Sequence, residues 1–287
     1  MCGIVGIVGD YNNANDIIIG LKSLEYRGYD SCGITGIAKD KFIYYKTLQK
    51  INSLEKNIKQ QNFNSNISIG HTRWATHGKP SLINTHPFIK NNCAFVHNGI
   101  IENFQDLIKI FKIDRKLIKS ETDSEIIALI FDKLLKKNKN PLEIIKSIMK
   151  IIDGTYAFAF LIKGSKNIYA TKKGSPLVLG IADNFNAISS DILGLPNKTK
   201  DVIFLEDEDV LIINKDTYKI INSKYKKNNR TKHIFTPAQN FLIKGEFKHF
   251  MEKEIYYQPI SFKDTLLNYV EKKSKKIFLP KSDINFN

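Results

Sequence analysis

The pattern of apolar and polar positions divides the chain into a mixed first half and a strand-rich second half. Residues 2–9, CGIVGIVG, form an uninterrupted apolar run bounded by glycine, the signature of a short strand buried on both faces. Ile17, Ile18, Leu21 and Leu24 follow at helical spacing, which predicts a helix over 13–26 with Asn13 or Asn15 as its cap. Arg27 to Asp30 read as a loop, and 32–38 with 42–47 as a hairpin across Lys39-Asp40-Lys41. A polar helix or loop runs to Asn66, and Ile67–Gly70 begins another strand. Residues 71–78, HTRWATHG, fit neither period and read as a loop. A short strand at 93–97 turns out at His97-Asn98-Gly99. Helical patterns cover Ile101–Phe111, a segment opened by Ser120–Asp123, and a segment from Pro141 to a stop at Asp153-Gly154.

From Thr155 the period changes to two. Alternating or apolar runs at 155–163, 167–172, 177–182, 186–190, 202–205, 209–214 and 217–222 are separated by hairpin-length connections. This order argues an α+β layered domain with antiparallel sheets. No βαβ rhythm and no phosphate-cradling glycine pattern is present. Residues 224–240 read as an exposed polar loop, and 247–257 and 261–270 as two helices split at Pro259. The stretch 271–287 reads as a frayed end.

Composition changes this picture little. The 287 residues suffice for a large buried core, and no window approaches ~18 uninterrupted apolar residues, so no membrane span is expected. The N-terminus lacks a basic start and cleavage site, which points to a cytoplasmic protein. Cys2, Cys32 and Cys93 are widely spaced and suit a reducing compartment rather than a disulfide framework or zinc site. The net charge of +15 raises nucleic-acid binding. The lysines, however, are dispersed among Asn and Ile, all with A/T-rich codons, and the basic runs carry few stacking aromatics. No nucleic-acid partner is expected.

The candidate chemistry starts at Cys2. Once Met1 is removed, one residue carries a thiol and a free α-amine, and an amine of pKa roughly 7.7–8.0 is a base beside a nucleophile that reacts only as thiolate. Asn98-Gly99 reads either as a hairpin turn pair or as two donors for a developing oxyanion. Asp123 lies three residues after Ser120, the capping-box spacing, and alternatively is a carboxylate for a substrate ammonium. Arg73 is either a solvated charge or a bidentate partner for a substrate carboxylate, and Trp74 either core or lid. His71, His77, His86 and His97 cluster in sequence, but with no helical ligand spacing a metal site is not expected; a Cys–His pair is a further alternative.

Taken together, the leading CGIVG, LEYRGYDS at 24–31, HTRWATHG at 71–78, HNGIIEN at 97–103, SETDSE at 120–125, GSPLVLG at 174–180, IFLED at 203–207 and HFMEKEI at 249–255 resemble the N-terminal glutaminase domain of the glucosamine-6-phosphate synthase family, class II glutamine amidotransferases. The likeness covers about residues 2–268. It implies an N-terminal-nucleophile hydrolase fold, an αββα four-layer sandwich with two antiparallel sheets, over 2–240, with a helical extension over 241–287. It implies Cys2 as nucleophile and Asn98 and Gly99 as oxyanion hole. It further implies that Arg73, Thr76, His77, Gly99 and Asp123 hold L-glutamine, and that Trp74 belongs to a lid. No metal or organic cofactor is implied, and a homodimer is admitted. Cys32 replaces the family's usual Ala and Tyr257 its usual Glu. The family's sugar-isomerase half, which binds fructose 6-phosphate, lies beyond the matching region, so the expectation is either a truncated or split product working with a separate isomerase chain, or a portion of a longer chain. The alternatives are the glutaminase domain of another class II amidotransferase and a non-catalytic remnant.

Overall fold

The computed structural model describes residues 2–75, 78–137, 140–222, 230–235 and 247–267. The chain divides into two compact units, 1–237 and 238–287. In the first, β1 (Gly3–Gly9) leads to α1 (Ala14–Ser23), the hairpin β2 (Ser31–Ala38) and β3 (Lys41–Thr47), α2 (Ile51–Gln60) and β4 (Ile67–Arg73). Next come β5 (Phe88–Ile89), β6 (Cys93–Ile101), α3 (Phe104–Ile110), α4 (Asp123–Leu135) and α5 (Pro141–Met149). The serial strands are β7 (Gly154–Ile162), β8 (Ile168–Lys173), β9 (Val178–Ile181), β10 (Phe185–Ser189), β11 (Asp201–Phe204), β12 (Val210–Ile213), β13 (Tyr218–Ile221) and β14 (His233–Ile234).

These strands make two antiparallel sheets. The larger has the order β14-β11-β9-β10-β1-β4-β2-β3, and the smaller β13-β12-β8-β7-β6-β5. Side-chain alternation sorts residues into layers. On β1, Ile4 and Val8 join Ala94, Val96, Ala157, Ala159 and Leu161 in a core between the sheets. Val5 and Ile7 point the other way, onto Ile17, Ile18 and Leu21 of α1 and Leu54 of α2. On the smaller sheet, Phe95, Phe158 and Phe160 face outward onto Ile126, Ile127 and Phe131 of α4 and Ile144 of α5. The result is helices, sheet, sheet, helices, the αββα α+β sandwich the resemblance implied.

The strand pattern of the second half emerges where the period-2 reading puts it, and Pro141 does open α5, capped by the Asn140 side chain. Five local readings are corrected. His71-Thr72-Arg73 continue β4, because Thr72 pairs with Gly3 of β1 and Cys32 of β2, and central strands tolerate polar residues that find partners. His97-Asn98-Gly99 do not turn; β6 runs straight through them, paired along its whole length with β7. The helix read from Ile101 starts only at Phe104, since Ile101 is still in that ladder. In the second unit, α6 (Phe250–Leu267) runs through Pro259 as one helix rather than two. Within the polar stretch 224–240, His233–Ile234 pair with β11, while 224–229, 236–240 and 271–287 lie outside the described residues. No helix among the described residues is long and apolar enough to cross a membrane.

Candidate active site

Alternation places the candidate nucleophile. Cys2 precedes β1 with the parity of Ile4 and Val8, so its side chain lies toward the opposing sheet. Asn98 on β6 shares the parity of Ala94 and Val96 and points back. The two meet across the gap: Asn98 Nδ2 donates to the Cys2 carbonyl at 2.9 Å. Asn98 is buried while Cys2 is only partly so.

The Cys2 thiol sits at the end of β4. Its Sγ lies 3.6 Å from the Trp74 carbonyl, to which the S–H donates, and the Trp74 N–H donates to Sγ at 3.3 Å. Burial pushes the Cys2 thiol up from its ordinary value, against the opposing pull of that N–H and of Arg73. The thiol therefore stays protonated near neutrality and needs a base. No histidine among the described residues hydrogen-bonds to it: His71 Nε2–H donates to the His97 carbonyl at 2.9 Å, and His71 stacks on His86 at 4.1 Å. Burial pushes His71 down to about 3 and lowers His86 and His97 as well, so these rings are neutral packing groups. Among the described residues no group of three or more His, Cys, Asp or Glu is disposed to hold a metal ion.

Gly99 has φ +127°, and a Cβ built on it would lie 2.0 Å from the Thr155 carbonyl oxygen of β7. A side chain is thus excluded by both conformation and space. Arg73 is buried at the end of β4, and its Nη2 donates to the Gly78 carbonyl at 2.9 Å. Asp123 is buried at the first position of α4; its Oδ2 accepts from the Ile101 N–H at 2.7 Å and its Oδ1 from the Ser124 N–H at 2.8 Å. The capping-box reading is overturned: the N-cap is Thr122, and Ser120 Oγ lies 2.9 Å from Thr122 Oγ1. Trp74 is 45% exposed rather than core, edge-on to Tyr29 at 5.6 Å. Cys32 is buried, with burial raising its thiol to about 12. Thr76 and His77 lie outside the described residues.

Two residues at the site were not singled out from sequence. Asp30 Oδ2 accepts from the Ala75 N–H at 2.8 Å and so holds the chain just past Trp74. Asn84 is fully buried, its Nδ2 donating to the Lys79 carbonyl and to Glu121, both at 2.9 Å, and its Oδ1 accepting from the Glu121 N–H. Asp30 stands inside the LEYRGYDS motif; Asn84 carries no local signal, since only tertiary placement brings it to Glu121.

The description of class-II glutamine amidotransferases fits residues 46–175. Over 287 residues, the whole chain is 38% identical to an isomerizing glutamine–fructose-6-phosphate aminotransferase of Caulobacter vibrioides, covering 47% of that relative. Residues 46–175 form a class II glutamine amidotransferase domain. Isomerizing glutamine–fructose-6-phosphate aminotransferases of Francisella tularensis and Thermotoga maritima are 41% and 39% identical over 93% and 94% of the chain, which covers 44% and 45% of their own lengths. The chain spans about half the length of the curated relatives it matches, their N-terminal half. Glutamine phosphoribosylpyrophosphate amidotransferase from B. subtilis shares its fold, with a TM-score of 0.68 at 23% identity over 79% of this chain and 50% of that one.

Proposed function

We propose that the chain hydrolyses L-glutamine to glutamate and ammonia, with Cys2 as nucleophile. The observation that carries the reading is the Asn98 Nδ2 contact with Cys2 across the sheets, which sets a fixed amide donor beside the candidate nucleophile. Removal of Met1 frees the Cys2 α-amine, the base that the buried thiol lacks. The amine takes the thiol proton and the thiolate attacks the side-chain amide carbon. The resulting oxyanion is received by Asn98 Nδ2 and the Gly99 N–H, each such donor typically worth ~2.7–4 kcal/mol. The protonated amine passes its proton to the leaving nitrogen, the C–N bond breaks, and ammonia departs. Water then cleaves the γ-glutamyl thioester, restoring the thiol. Arg73 takes the substrate α-carboxylate and Asp123 its α-ammonium, so the two clamps read the two ends of one amino acid. Trp74 serves the lid over the substrate, and Thr76 and His77 are further proposed glutamine-binding residues.

We further propose that the ammonia serves conversion of fructose 6-phosphate to glucosamine 6-phosphate in the cytoplasm, in concert with a sugar-isomerase half. The supporting observation is the identity, 38–41%, to relatives that are isomerizing glutamine–fructose-6-phosphate aminotransferases. The first experiment is glutamine hydrolysis by the Met1-processed chain, by Cys2→Ala and by a form that retains Met1. Only the processed wild type is expected to turn over; full activity with Met1 in place would refute the amine as base. Glucosamine 6-phosphate formation with and without an isomerase partner tests the second proposal, and absence of product with every such partner would refute it.

A further inference from the structure

The carboxylate of Asp123 is held by more than backbone. Ser124 Oγ lies 3.3 Å from Asp123 Oδ1 and, on its other side, 2.8 Å from His97 Nδ1. All three side chains are buried, His97 2%, Ser124 3% and Asp123 5% exposed. In the His97 tautomer with Nδ1–H, the ring donates to Ser124 Oγ and the Ser124 hydroxyl donates to Asp123 Oδ1, since a carboxylate only accepts. The His97 ring is fixed in turn: it stacks on Phe95 at 6.2 Å, meets Phe158 edge-on at 5.1 Å, and its backbone carbonyl receives His71 Nε2–H. His97 also immediately precedes Asn98, so one strand carries the donor facing Cys2 and, on its other face, the far end of this relay.

A helix start does not require this arrangement. The Ile101 and Ser124 N–H groups already satisfy both oxygens of Asp123, and the Ser124 hydroxyl caps no amide. Burying an imidazole and a hydroxyl beside a carboxylate costs stability unless they are paired, and here Ser124 Oγ is shared between Asp123 Oδ1 and His97 Nδ1. We infer that Ser124 and His97 are positioning residues that aim the Asp123 carboxylate, and so determine specificity for ligands bearing an α-ammonium over plain amides. This rests on the glutamine-binding reading above.

The test uses Ser124→Ala, Ser124→Thr and the full processed chain. Three electrophiles label Cys2: iodoacetamide, a glutamine-shaped L-amino-acid diazoketone, and the same diazoketone without its α-amine. Ser124→Ala is expected to raise the glutamine KM about tenfold, the weight of a hydrogen bond to a charged group, with kcat within about threefold. The α-amino diazoketone slows by the same factor while the deamino compound and iodoacetamide do not change, and Ser124→Thr restores wild-type behaviour. His97→Phe keeps the ring packing without the donor and raises KM in the same direction, which covers the case in which Ser124→Ala does not fold. An equal loss with both diazoketones at unchanged KM, or no rescue by threonine, overturns the inference while leaving glutamine hydrolysis standing. Wild-type Cys2 that takes iodoacetamide but shows no preference for the α-amino diazoketone overturns both.

Discussion

Gly99→Ala separates a packing demand from a mere backbone preference. The substituted residue would keep φ +127°, a region that costs a side-chain-bearing residue of order 1–3 kcal/mol. Its Cβ would also sit 2.0 Å from the Thr155 oxygen and 2.7 Å from the Thr155 carbon. Real Cβ contacts essentially never fall under 3.0 Å, so β6 and β7 must separate locally by about 1 Å (3.0 less 2.0), and the obstacle is backbone rather than a yielding side chain. Overpacking of that kind adds roughly 1–3 kcal/mol. The sum, about 2–6 kcal/mol, lies below or near the low end of the ~5–15 kcal/mol that holds a domain folded. Gly164→Ala is the control: Gly164 has φ +76°, but nothing lies within 4 Å of a Cβ built there. Urea unfolding is expected to show Gly99→Ala less stable than Gly164→Ala by at least ~1 kcal/mol with unchanged m-value. Glutamine hydrolysis is expected to fall about 10²-fold in Gly99→Ala, the usual penalty for a 1 Å misplacement, and to persist in Gly164→Ala. Equal stability of the two variants, or full hydrolysis by Gly99→Ala, would refute the close-approach argument.

Two further outcomes follow from the interior. His71, His86 and His97 have folded-state pKa values depressed by burial, His71 to about 3, against roughly 6.5 in the unfolded chain. The unfolded chain therefore binds protons that the folded one does not, so this stability is complete above about pH 6.5 and falls as the pH drops; each ring contributes a slope of at most ~1.4 kcal/mol per pH unit. Urea unfolding between pH 7.5 and 5 should show the fall, and His71→Gln should flatten it by one such slope; a pH-independent stability over that window would contradict neutral burial. Asp132, near the far end of α4, accepts the Asn92 N–H at 2.8 Å and the Asn92 Nδ2 at 3.0 Å, with Lys136 at 3.1 Å. Asp132→Ala should cost about 1–3 kcal/mol in denaturant unfolding yet leave hydrolysis unchanged, since nine residues of helix set it about 14 Å from Asp123.

What could be read from the sequence depended on how local the determining forces were. Period-2 alternation from Thr155 onward gave the strands because each strand's two faces meet different layers, as Phe158 and Ala159 do. The same logic failed at His97-Asn98-Gly99, where an Asn-Gly pair carries the local preference of a turn. Pairing along all of β7 overrode it, and the glycine is present for close approach instead. His71 and Arg73 looked unlike strand residues because their partners, the His97 carbonyl and the Gly78 carbonyl, are supplied by other segments. Asp123 had capping-box spacing, yet its carboxylate is spent on Ile101, a residue no local rule connects to it. Of the motifs that carried the family resemblance, LEYRGYDS, HTRWATHG and HNGIIEN supply Asp30, Trp74 and Asn98 around Cys2; the distances among them, and the contacts of Asn84, exist only in three dimensions.

The bond between Asn98 and Cys2 has a consequence for the whole interior. Because its two ends belong to opposite sheets, the width of the slab of side chains between those sheets acts as a ruler for the site. Among larger aliphatics such as Ile4, Leu161 and Leu211, that slab holds Ala94, Ala157, Ala159 and Ala170, all fully buried, and Ala157 is the strand partner of Asn98. A larger residue there is a wedge that opens the jaw formed by Cys2 and Asn98, without touching either. The middle of this protein is therefore calibrated as well as packed: its residues are constrained to a thickness, and loss of that gauge would silence the site in a molecule that still folds.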